Sequence, residues 1–243
     1  MRLPVRRSLR SLLLTAVAGV SLAFAPRAAE TVNATVRWGR GPGRLAIARV
    51  QYEGGGDWYA NPSSLPNLIR AIAERTALPI ERAEAKVTFT DSALFDFPFL
   101  HITGHGEIKL SEIEVKRLRE YLTRGGFLHV DDNYGLDDSF RREIKRVFPD
   151  RPLVDVPHSH PIYHLVYDFA NGPPKVHEHD GKPAKGMGIF IGNRLAVYYT
   201  YSADLGNGWE DVGTYPDPPI LHEQAIRMGV NLFTYAITSR VTP

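Results

Sequence analysis

Residues Ser111–Asp132, S-E-I-E-V-K-R-L-R-E-Y-L-T-R-G-G-F-L-H-V-D-D, decide the fold of this chain. They predict a helix over Ser111–Arg124, because Ser111 and Glu114 have the spacing of a capping box and Gly125-Gly126 can end the helix. The run F-L-H-V-D-D that follows is typical of a buried strand. A helix that passes through glycines into a buried strand is the repeating unit of an α/β fold.

The same alternation of strand and helix continues on both sides of this stretch. Before it, we predict strands at Leu45–Tyr52, Ala85–Thr90 and Phe97–Thr103 and a helix at Ser64–Thr76. Beyond it, we predict a helix over Asp137–Phe148, a hairpin over Gly188–Tyr201 that turns at Gly192-Asn193, and a last helix over Pro219–Thr238. This order predicts one α/β domain over residues 44–240, with a mostly parallel sheet and an added C-terminal hairpin and helix.

The first residues are predicted to be a targeting segment. Met1–Arg10 contains four arginines, and the apolar run Ser11–Ala25 is short for a membrane span, so residues 1–29 are typical of a secretory signal peptide. Cleavage is expected after Ala23 or near Ala29; Arg6-Arg7 also resembles a twin-arginine signal, and an uncleaved anchor is the alternative. Residues 30–43 are typical of a linker. We therefore expect an exported, periplasmic or otherwise extracytoplasmic protein that touches a membrane only through an uncleaved signal.

Charge and cysteine content exclude several classes of protein. The formal net charge is +2, but residues 1–29 contain five arginines and no acidic residue, so their removal changes the net charge from +2 to −3. No basic patch remains that would favour nucleic acid as a partner. The chain contains no cysteine, which excludes disulfides, thiolate metal sites and a cysteine nucleophile.

Polar residues follow three predicted strands at their carboxyl ends, where open α/β sheets bind ligands. The candidate site residues in these turns are Gly55, Gly56, Asp57 and Trp58 after the first strand, His105 after the third, and Asp131 and Asp132 after the next. The plainer interpretations are a tight loop with a packed tryptophan, a hydrogen-bonded turn histidine and a helix cap. The glycines do not match the G-x-G-x-x-G fingerprint, so we expect no NAD, and we expect no haem.

His158–Asp180 is a dense group of titratable residues. It contains five of the nine histidines, in H-S-H-P-I-Y-H and H-E-H-D-G-K-P. In extended segments, His158 and His160 would share one side, and so would His177 and His179. A divalent metal could bind at His177 and His179, but a hydrogen-bonded network of histidines and carboxylates fits this composition better. The candidate residues here are His160, His164, His177, Glu178, His179 and Asp180.

The segment Asp204–Asp211, D-L-G-N-G-W-E-D, resembles a calcium loop only superficially, because it lacks the D-x-D-x-D-G register. We expect this segment to lie beside the histidines. Trp209 would then form a wall or a lid of the site.

Six runs between about Arg44 and Thr238 form a recognisable pattern: R-V-Q-Y-E-G-G-G-D-W-Y, F-P-F-L-H-I-T-G-H-G, R-E-Y-L-T-R-G-G-F-L-H-V-D-D-N-Y-G, H-P-I-Y-H, K-V-H-E-H-D-G-K-P and D-L-G-N-G-W-E-D. They resemble a bacterial family of exported or membrane-linked proteins, domain of unknown function 4159. The resemblance implies a class I glutamine-amidotransferase-like fold, a flavodoxin-like three-layer sandwich, and no established activity. Ser111–Asp132 is also similar to trehalose-utilisation-like proteins of that superfamily. True amidotransferases carry a cysteine nucleophile at a strand-end turn, and this chain has no cysteine.

Two functional hypotheses follow. An enzyme would hydrolyse a polar or sugar-like substrate, with Asp131 or Asp132 as base or ligand and a histidine of His177–His179 as acid or ligand. The catalytic candidates are Asp131, Asp132, His105 and His179. The alternative is a non-catalytic module that binds a small polar ligand or a protein partner in an envelope-associated assembly. In a purely structural protein, Trp58, Tyr59 and Trp209 would form an exposed contact patch.

Overall fold

A computed structural model describes residues 45–239 of the chain. The predicted signal over residues 1–29 and the predicted linker over residues 30–43 lie outside the described residues, as do residues 240–243. Within residues 45–239, no helix combines the length and the apolar character that a membrane crossing requires.

One seven-stranded sheet organises the domain, in the order β2-β1-β3-β4-β7-β6-β5. Its strands are β1 (Ile47–Val50), β2 (Ala85–Val87), β3 (Phe99–Ile102), β4 (Phe127–Asp131), β5 (Val154–Asp155), β6 (Lys185–Ile191) and β7 (Arg194–Tyr201). Neighbouring strands are parallel across the part of the sheet formed by β2, β1, β3, β4 and β7. Strand β6 pairs antiparallel with both β7 and β5. The predicted α/β domain with a mostly parallel sheet is therefore confirmed.

Five α-helices accompany the sheet within the described residues: α1 (Ser64–Arg75), α2 (Glu112–Thr123), α3 (Asp137–Val147), α4 (Leu205–Trp209) and α5 (Pro219–Thr238). The predicted capping box starts α2, where the Ser111 hydroxyl accepts from the Glu114 backbone N–H and the Glu114 carboxylate accepts from the Ser111 backbone N–H. The sequence does not predict α4 or the 3-10 helices Ser92–Asp96 and Pro161–Tyr163. Each is shorter than two turns, so it leaves no periodic pattern to recognise.

Alternation along the strands divides the apolar side chains between two cores. Phe99 and Phe127 pack on one face of the sheet against α1 and α5. Their neighbours Leu100 and Leu128 point to the other face and pack against α2 and α3. Because helices cover both faces, the loops at the strand ends are the places where the sheet can present polar groups to a ligand.

The predicted hairpin is confirmed as β6 and β7, which are joined by Gly192-Asn193, with Gly192 at φ 61°. β7 lies beside β4 in parallel, with Thr200 opposite Asp131. The hairpin therefore adds one strand to the parallel part of the sheet. It also brings the segment that follows β7, residues 202–209, next to the carboxyl end of β4.

Candidate functional site

Polar loops from four parallel strands meet at the carboxyl edge of the sheet. The loop after β1 supplies Asp57, the loop after β3 supplies His105, β4 ends in Asp131, and the segment after β7 supplies Asp204. The contacts described below link these four residues to His177 and His179.

Asp57 and His105 form the first histidine–aspartate pair. The Asp57 Oδ2 atom lies 3.1 Å from His105 Nδ1, and the same carboxylate accepts from the His105 backbone N–H. The two loops are held together because the Gly56 and Asp57 backbone N–H groups donate to the Glu107 and His105 carbonyls at 3.0 and 3.2 Å. A Cβ on Gly56 would lie 2.8 Å from the His105 carbonyl oxygen, so this close approach requires a glycine.

Asp131 is buried at the end of β4 and accepts three hydrogen bonds. Thr200 Oγ1 donates to it at 2.5 Å, and the Gly206 and Leu205 backbone N–H groups donate at 2.6 and 3.2 Å. Burial and the neighbouring Asp204 carboxylate raise the pKa of Asp131, although its hydrogen bonds lower it in part. Asp131 therefore holds a proton more tightly than an exposed aspartate does.

Asp204 connects this buried carboxylate to the histidines. It lies in the turn after β7 with left-handed backbone at φ 59°, and its Oδ2 atom lies 3.0 Å from His179 Nε2 and accepts from Asn207 Nδ2 at 2.8 Å. Burial raises the pKa of Asp204, and His177 and His105 oppose that rise. Since the Leu205 and Gly206 backbone groups bind Asp131, the two carboxylates are held by one short turn.

His177 and His179 complete the group, with ring centroids 4.8 Å apart. His177 Nδ1 lies 2.9 Å from Asp217 Oδ1, so each of three histidines, at 105, 177 and 179, has its own aspartate. Burial, with help from His177 and Lys175, lowers the pKa of His179. The Tyr134 ring stacks on His179 at 5.0 Å. A neutral imidazole oriented by a carboxylate is suited to accept a proton.

His179 faces an open cleft of about 290 Å³. The lining residues are Asp132, Tyr134, Gly135, Asp137, Asp138, His179, Asp180, Lys182, Tyr201 and Ser202. Asp132 accepts from the Tyr134 and Leu136 backbone N–H groups at 3.1 and 3.2 Å, in the turn before α3, and the start of α3 has no side-chain cap. Asp180 pairs with Lys182 at 2.8 Å, and Glu178 accepts from the Gly181 backbone N–H at 2.6 Å. Both acidic residues thus stabilise the turn beside the cleft.

The histidine block is divided. His177 and His179 lie side by side, as expected, but the extended strands predicted to carry the histidine pairs are not formed. Neither His158 and His160 nor His177 and His179 lie on a strand, because the prolines and turns of this region interrupt strand pairing. His160 caps the 3-10 helix Pro161–Tyr163 by accepting from the Ile162 N–H, and its ring packs 5.2 Å from Tyr235 of α5.

His160 therefore lies away from the site, because the Tyr235 hydroxyl accepts from the Leu195 N–H near the amino end of β7. His164 lies in the same loop as His160. Its ring contacts Asp168 Oδ1 at 2.5 Å and the His158 carbonyl at 2.7 Å. The structure does not bring either histidine to the group around Asp204.

Two tryptophans also differ from the expectation. Trp209 is fully buried rather than a wall or lid: its Nε1–H donates to the Ala225 carbonyl at 2.8 Å, and its ring packs on His101 and His129. Trp58 is half-buried and lies under Lys86 of β2, with Tyr59 edge-on to its ring at 5.6 Å. Of the glycines, Gly56 holds the Asp57 loop against the His105 loop, and Gly55 is exposed.

The sequence interpretation misses Asp204, Asp217 and Tyr134 as members of the site, although D-L-G-N-G-W-E-D draws attention to the segment that Asp204 begins. It also misses the pair His101 and His129. A signal was present for that pair: F-L-H-I and F-L-H-V place a histidine at the same position of two buried strands, and the two residues are register partners. The contacts of Asp204, Asp217 and Tyr134 with the histidines depend on turns whose course the sequence does not predict.

Backbone strain is concentrated at this edge. Among residues 45–239, the non-glycine residues with positive φ are Asn61, Tyr134, Ser202 and Asp204. They lie in the loops that follow β1, β4 and β7. Such conformations cost of order 1–3 kcal/mol each and cluster at functional sites, where the surroundings enforce them.

The described residues contain no group of three or more His, Asp or Glu side chains placed to hold a metal ion. The ring nitrogens that contact carboxylates at His177 and His179 belong to a hydrogen-bonded network. The geometry therefore gives no support to the hypothesis of a divalent metal at His177 and His179.

Comparison with known proteins identifies a protein family. A family model described as a domain of unknown function (DUF4159) matches residues 46–237. No curated protein matches the chain.

Proposed function

The chain belongs to the DUF4159 family, and from its site we propose that it is a hydrolase that activates water with His179 to cleave a small polar substrate. The observation that carries this proposal is the His179–Asp204 pair, which combines a buried carboxylate, a 3.0 Å contact and an imidazole at the wall of an open cleft.

The pair has the chemistry of a general base. Asp204 orients His179 through Nε2, which leaves Nδ1 as the nitrogen available to a water molecule. The lowered pKa of His179 keeps its ring neutral near pH 7, as proton abstraction requires. Asp131, with its raised pKa, is suited to hold a proton close by, and His105 with Asp57 supplies a second acid–base pair.

The lining of the cleft favours a neutral, hydroxyl-rich substrate over an anion. Four aspartates and one lysine line it, together with the rings of Tyr134 and Tyr201, which suit stacking against a sugar-like face.

We also propose that the domain is flavodoxin-like, of the class I glutamine-amidotransferase-like type. In support, the parallel strands taken in chain order follow the sequence 2-1-3-4-5 across the sheet. The turn after β4 carries Asp131-Asp132-Asn133, and the chain has no cysteine for thiolate chemistry. Export, with residues 1–29 as signal, stays part of the proposal.

A non-catalytic binding module is the alternative, and one observation favours it. All three histidines of the site are already paired with aspartates, as in a network that only stabilises loops. An activity test that compares matched histidine variants separates the two functions.

The test uses the purified full-length chain and a panel of p-nitrophenyl glycosides and esters at neutral pH. We expect turnover of at least one substrate, with kcat/KM reduced about 10²–10⁴-fold in His179→Ala and clearly reduced in Asp204→Asn. His158→Ala, a change in the other half of the block, should match the parent. Turnover that survives in His179→Ala would refute the assigned base. A parent protein that turns over nothing in the panel would favour the binding module.

A further inference from the structure

Two buried histidines face each other in the centre of the sheet. His101 of β3 and His129 of β4 are register partners with no exposed surface, and their rings stack with centroids 5.1 Å apart. Their Nδ1 atoms are 3.1 Å apart, which is a hydrogen-bond distance. Burial lowers the pKa of both rings, so both are neutral at ordinary pH.

This pair continues into the site through one threonine. His129 Nε2 lies 3.0 Å from Thr200 Oγ1, and Thr200 Oγ1 lies 2.5 Å from Asp131 Oδ1. The result is an unbroken buried series His101–His129–Thr200–Asp131. At its inner end, His101 Nε2 makes no hydrogen bond within the described residues.

Proton positions along this series are linked, because two Nδ1 atoms share a hydrogen bond only when one carries hydrogen and the other is bare. If His101 donates, His129 carries its hydrogen on Nε2 and donates to Thr200, and the hydroxyl donates to an ionised Asp131. All three links are then satisfied. The unpaired His101 Nε2 is then a bare nitrogen rather than a buried N–H.

The arrangement in which every hydrogen bond of the series points the other way, from Asp131 towards His101, requires one more proton, on Asp131. A protonated Asp131 needs an acceptor, and its other contacts are the Leu205 and Gly206 N–H donors, so Thr200 Oγ1 must accept. The Thr200 hydrogen then turns to His129 Nε2, His129 donates from Nδ1 to His101, and His101 carries hydrogen on Nε2. Both rings remain neutral, and the one added proton is accounted for by the new O–H bond on Asp131.

We propose that His101, His129 and Thr200 are positioning residues for Asp131. The three hydrogen bonds that link these four residues reverse direction together when Asp131 gains or loses a proton. Their role in catalysis rests on the proposed hydrolase, but the reversal itself does not. The series acts on the site because Asp131 holds the Leu205 and Gly206 N–H groups, and Asp204 in the same turn orients His179.

The charged and titratable neighbours of the series are few. Arg49 from β1 faces His101, Tyr198 from β7 stacks on His129 at 6.1 Å, and Asp204 faces Asp131 from the turn after β7. Arg49 is engaged by Glu84 at 2.9 Å, and Tyr198 donates to the Tyr163 hydroxyl at 2.9 Å. Asp204 is therefore the neighbour whose own titration must be separated from that of Asp131.

The test is ¹⁵N NMR of the full-length chain with labelled histidine rings, followed from about pH 5 to about pH 9. At lower pH we expect His129 Nε2 to be bare and His101 Nε2 to carry hydrogen, with the reverse at higher pH. Both changes should share one midpoint, which should also be that of the Asp131 carboxyl carbon. Ring tautomers that stay constant while Asp131 titrates would overturn the proposal, because the Thr200 hydrogen would then only have turned to the Val130 carbonyl, 3.2 Å away.

Three variants make the test specific. In Asp131→Asn, the Gly206 N–H bond of 2.6 Å outweighs the 3.2 Å Leu205 bond and keeps the amide oxygen on the Gly206 side, so the amide nitrogen faces Thr200 and should hold the low-pH tautomers at every pH. Thr200→Val should disconnect the histidines from the Asp131 titration, and Thr200→Ser should restore the connection. Asp204→Asn should move the midpoint but leave the reversal in place. Since none of these readouts needs a substrate, failure of the hydrolase assay and failure of this proposal are independent results.

Discussion

At the residue scale, the histidine block contains two histidines in opposite environments. His164 contacts the His158 carbonyl and Asp168, which raise its pKa above the ordinary 6.5. His179 is partly buried beside His177 and Lys175, and burial is the main cause that lowers its pKa. Residues fifteen positions apart in one sequence cluster thus acquire different acid–base character from their surroundings.

We therefore predict that His164 titrates above pH 6.5 and His179 below it, as measured by proton NMR of the imidazole C–H signals. Asp168→Asn should lower the His164 midpoint, because it removes a carboxylate, and should leave the His179 midpoint unchanged. Equal midpoints in the parent, or a shift of His179 in Asp168→Asn, would show that the two histidines are not in the environments described.

Two signals in the sequence predict site residues: the ends of strands, and the density of histidines that points to His177 and His179. Asp57, His105 and Asp131 follow strands directly, so the topology of a parallel sheet brings them to one edge. Asp204 and Asp217 contact histidines 25 and 40 positions away, and those contacts depend on the course of irregular turns. The sequence does not predict the buried position of Trp209, because its glycine-rich flank is equally compatible with an exposed lid and with a helix that enters the core.

At the element scale, local signals predict helix boundaries and distant contacts stabilise some of them. The start of α2 is predicted because Ser111 and Glu114 form its cap within four residues. Ser63 makes no side-chain cap bond at the start of α1. Instead, Glu210 Oε1 accepts from the Ser63 and Ser64 backbone N–H groups, both at 2.9 Å, from nearly 150 residues away. No sequence pattern near α1 could indicate that partner.

We predict that Glu210→Ala lowers the free energy of unfolding by about 1–2 kcal/mol, because the Ser63 N–H loses its acceptor and the Ser64 N–H keeps only the Asn61 carbonyl at 3.2 Å. Urea denaturation followed by circular dichroism measures the change. Glu120→Ala is the matched control: Glu120 is exposed and pairs only with Arg124 on the same helix, so its loss should stay within about 0.5 kcal/mol. Equal losses in the two variants would contradict the assignment of Glu210 as a cap.

At the scale of the whole molecule, the parallel sheet carries a polar series through an apolar core, and this should make stability depend on pH. Burial lowers the pKa of His129 from 6.5 to about 3 and lowers that of His101 as well. In the unfolded chain both rings gain a proton below about pH 6.5, whereas in the folded protein they stay neutral to a lower pH. Their contribution to stability is therefore complete above pH 6.5 and is lost as the pH falls towards the folded-state values.

Asp131 and Asp204 act in the opposite direction, because their raised pKa values let the folded protein keep protons that the unfolded chain releases as the pH rises. The pH dependence of the parent protein alone therefore mixes two effects of opposite sign. A variant that removes one histidine isolates its effect when the replacement can both donate to Thr200 and accept from it, so that the linked Asp131 titration is retained in parent and variant.

The informative variant is His129→Gln, which keeps a polar group beside Thr200 but cannot titrate. We predict that the parent loses stability relative to this variant as the pH falls from 6.5, by roughly 4–5 kcal/mol at pH 3, the free-energy equivalent of the lowered His129 pKa. Urea unfolding of both proteins at several pH values measures the difference, and His158→Gln, a change at an exposed histidine, should parallel the parent. A difference that does not change with pH would mean that His129 gains its proton in the folded protein as readily as in the unfolded chain. Its buried place between His101 and Thr200 would then be incompatible with the measured thermodynamics.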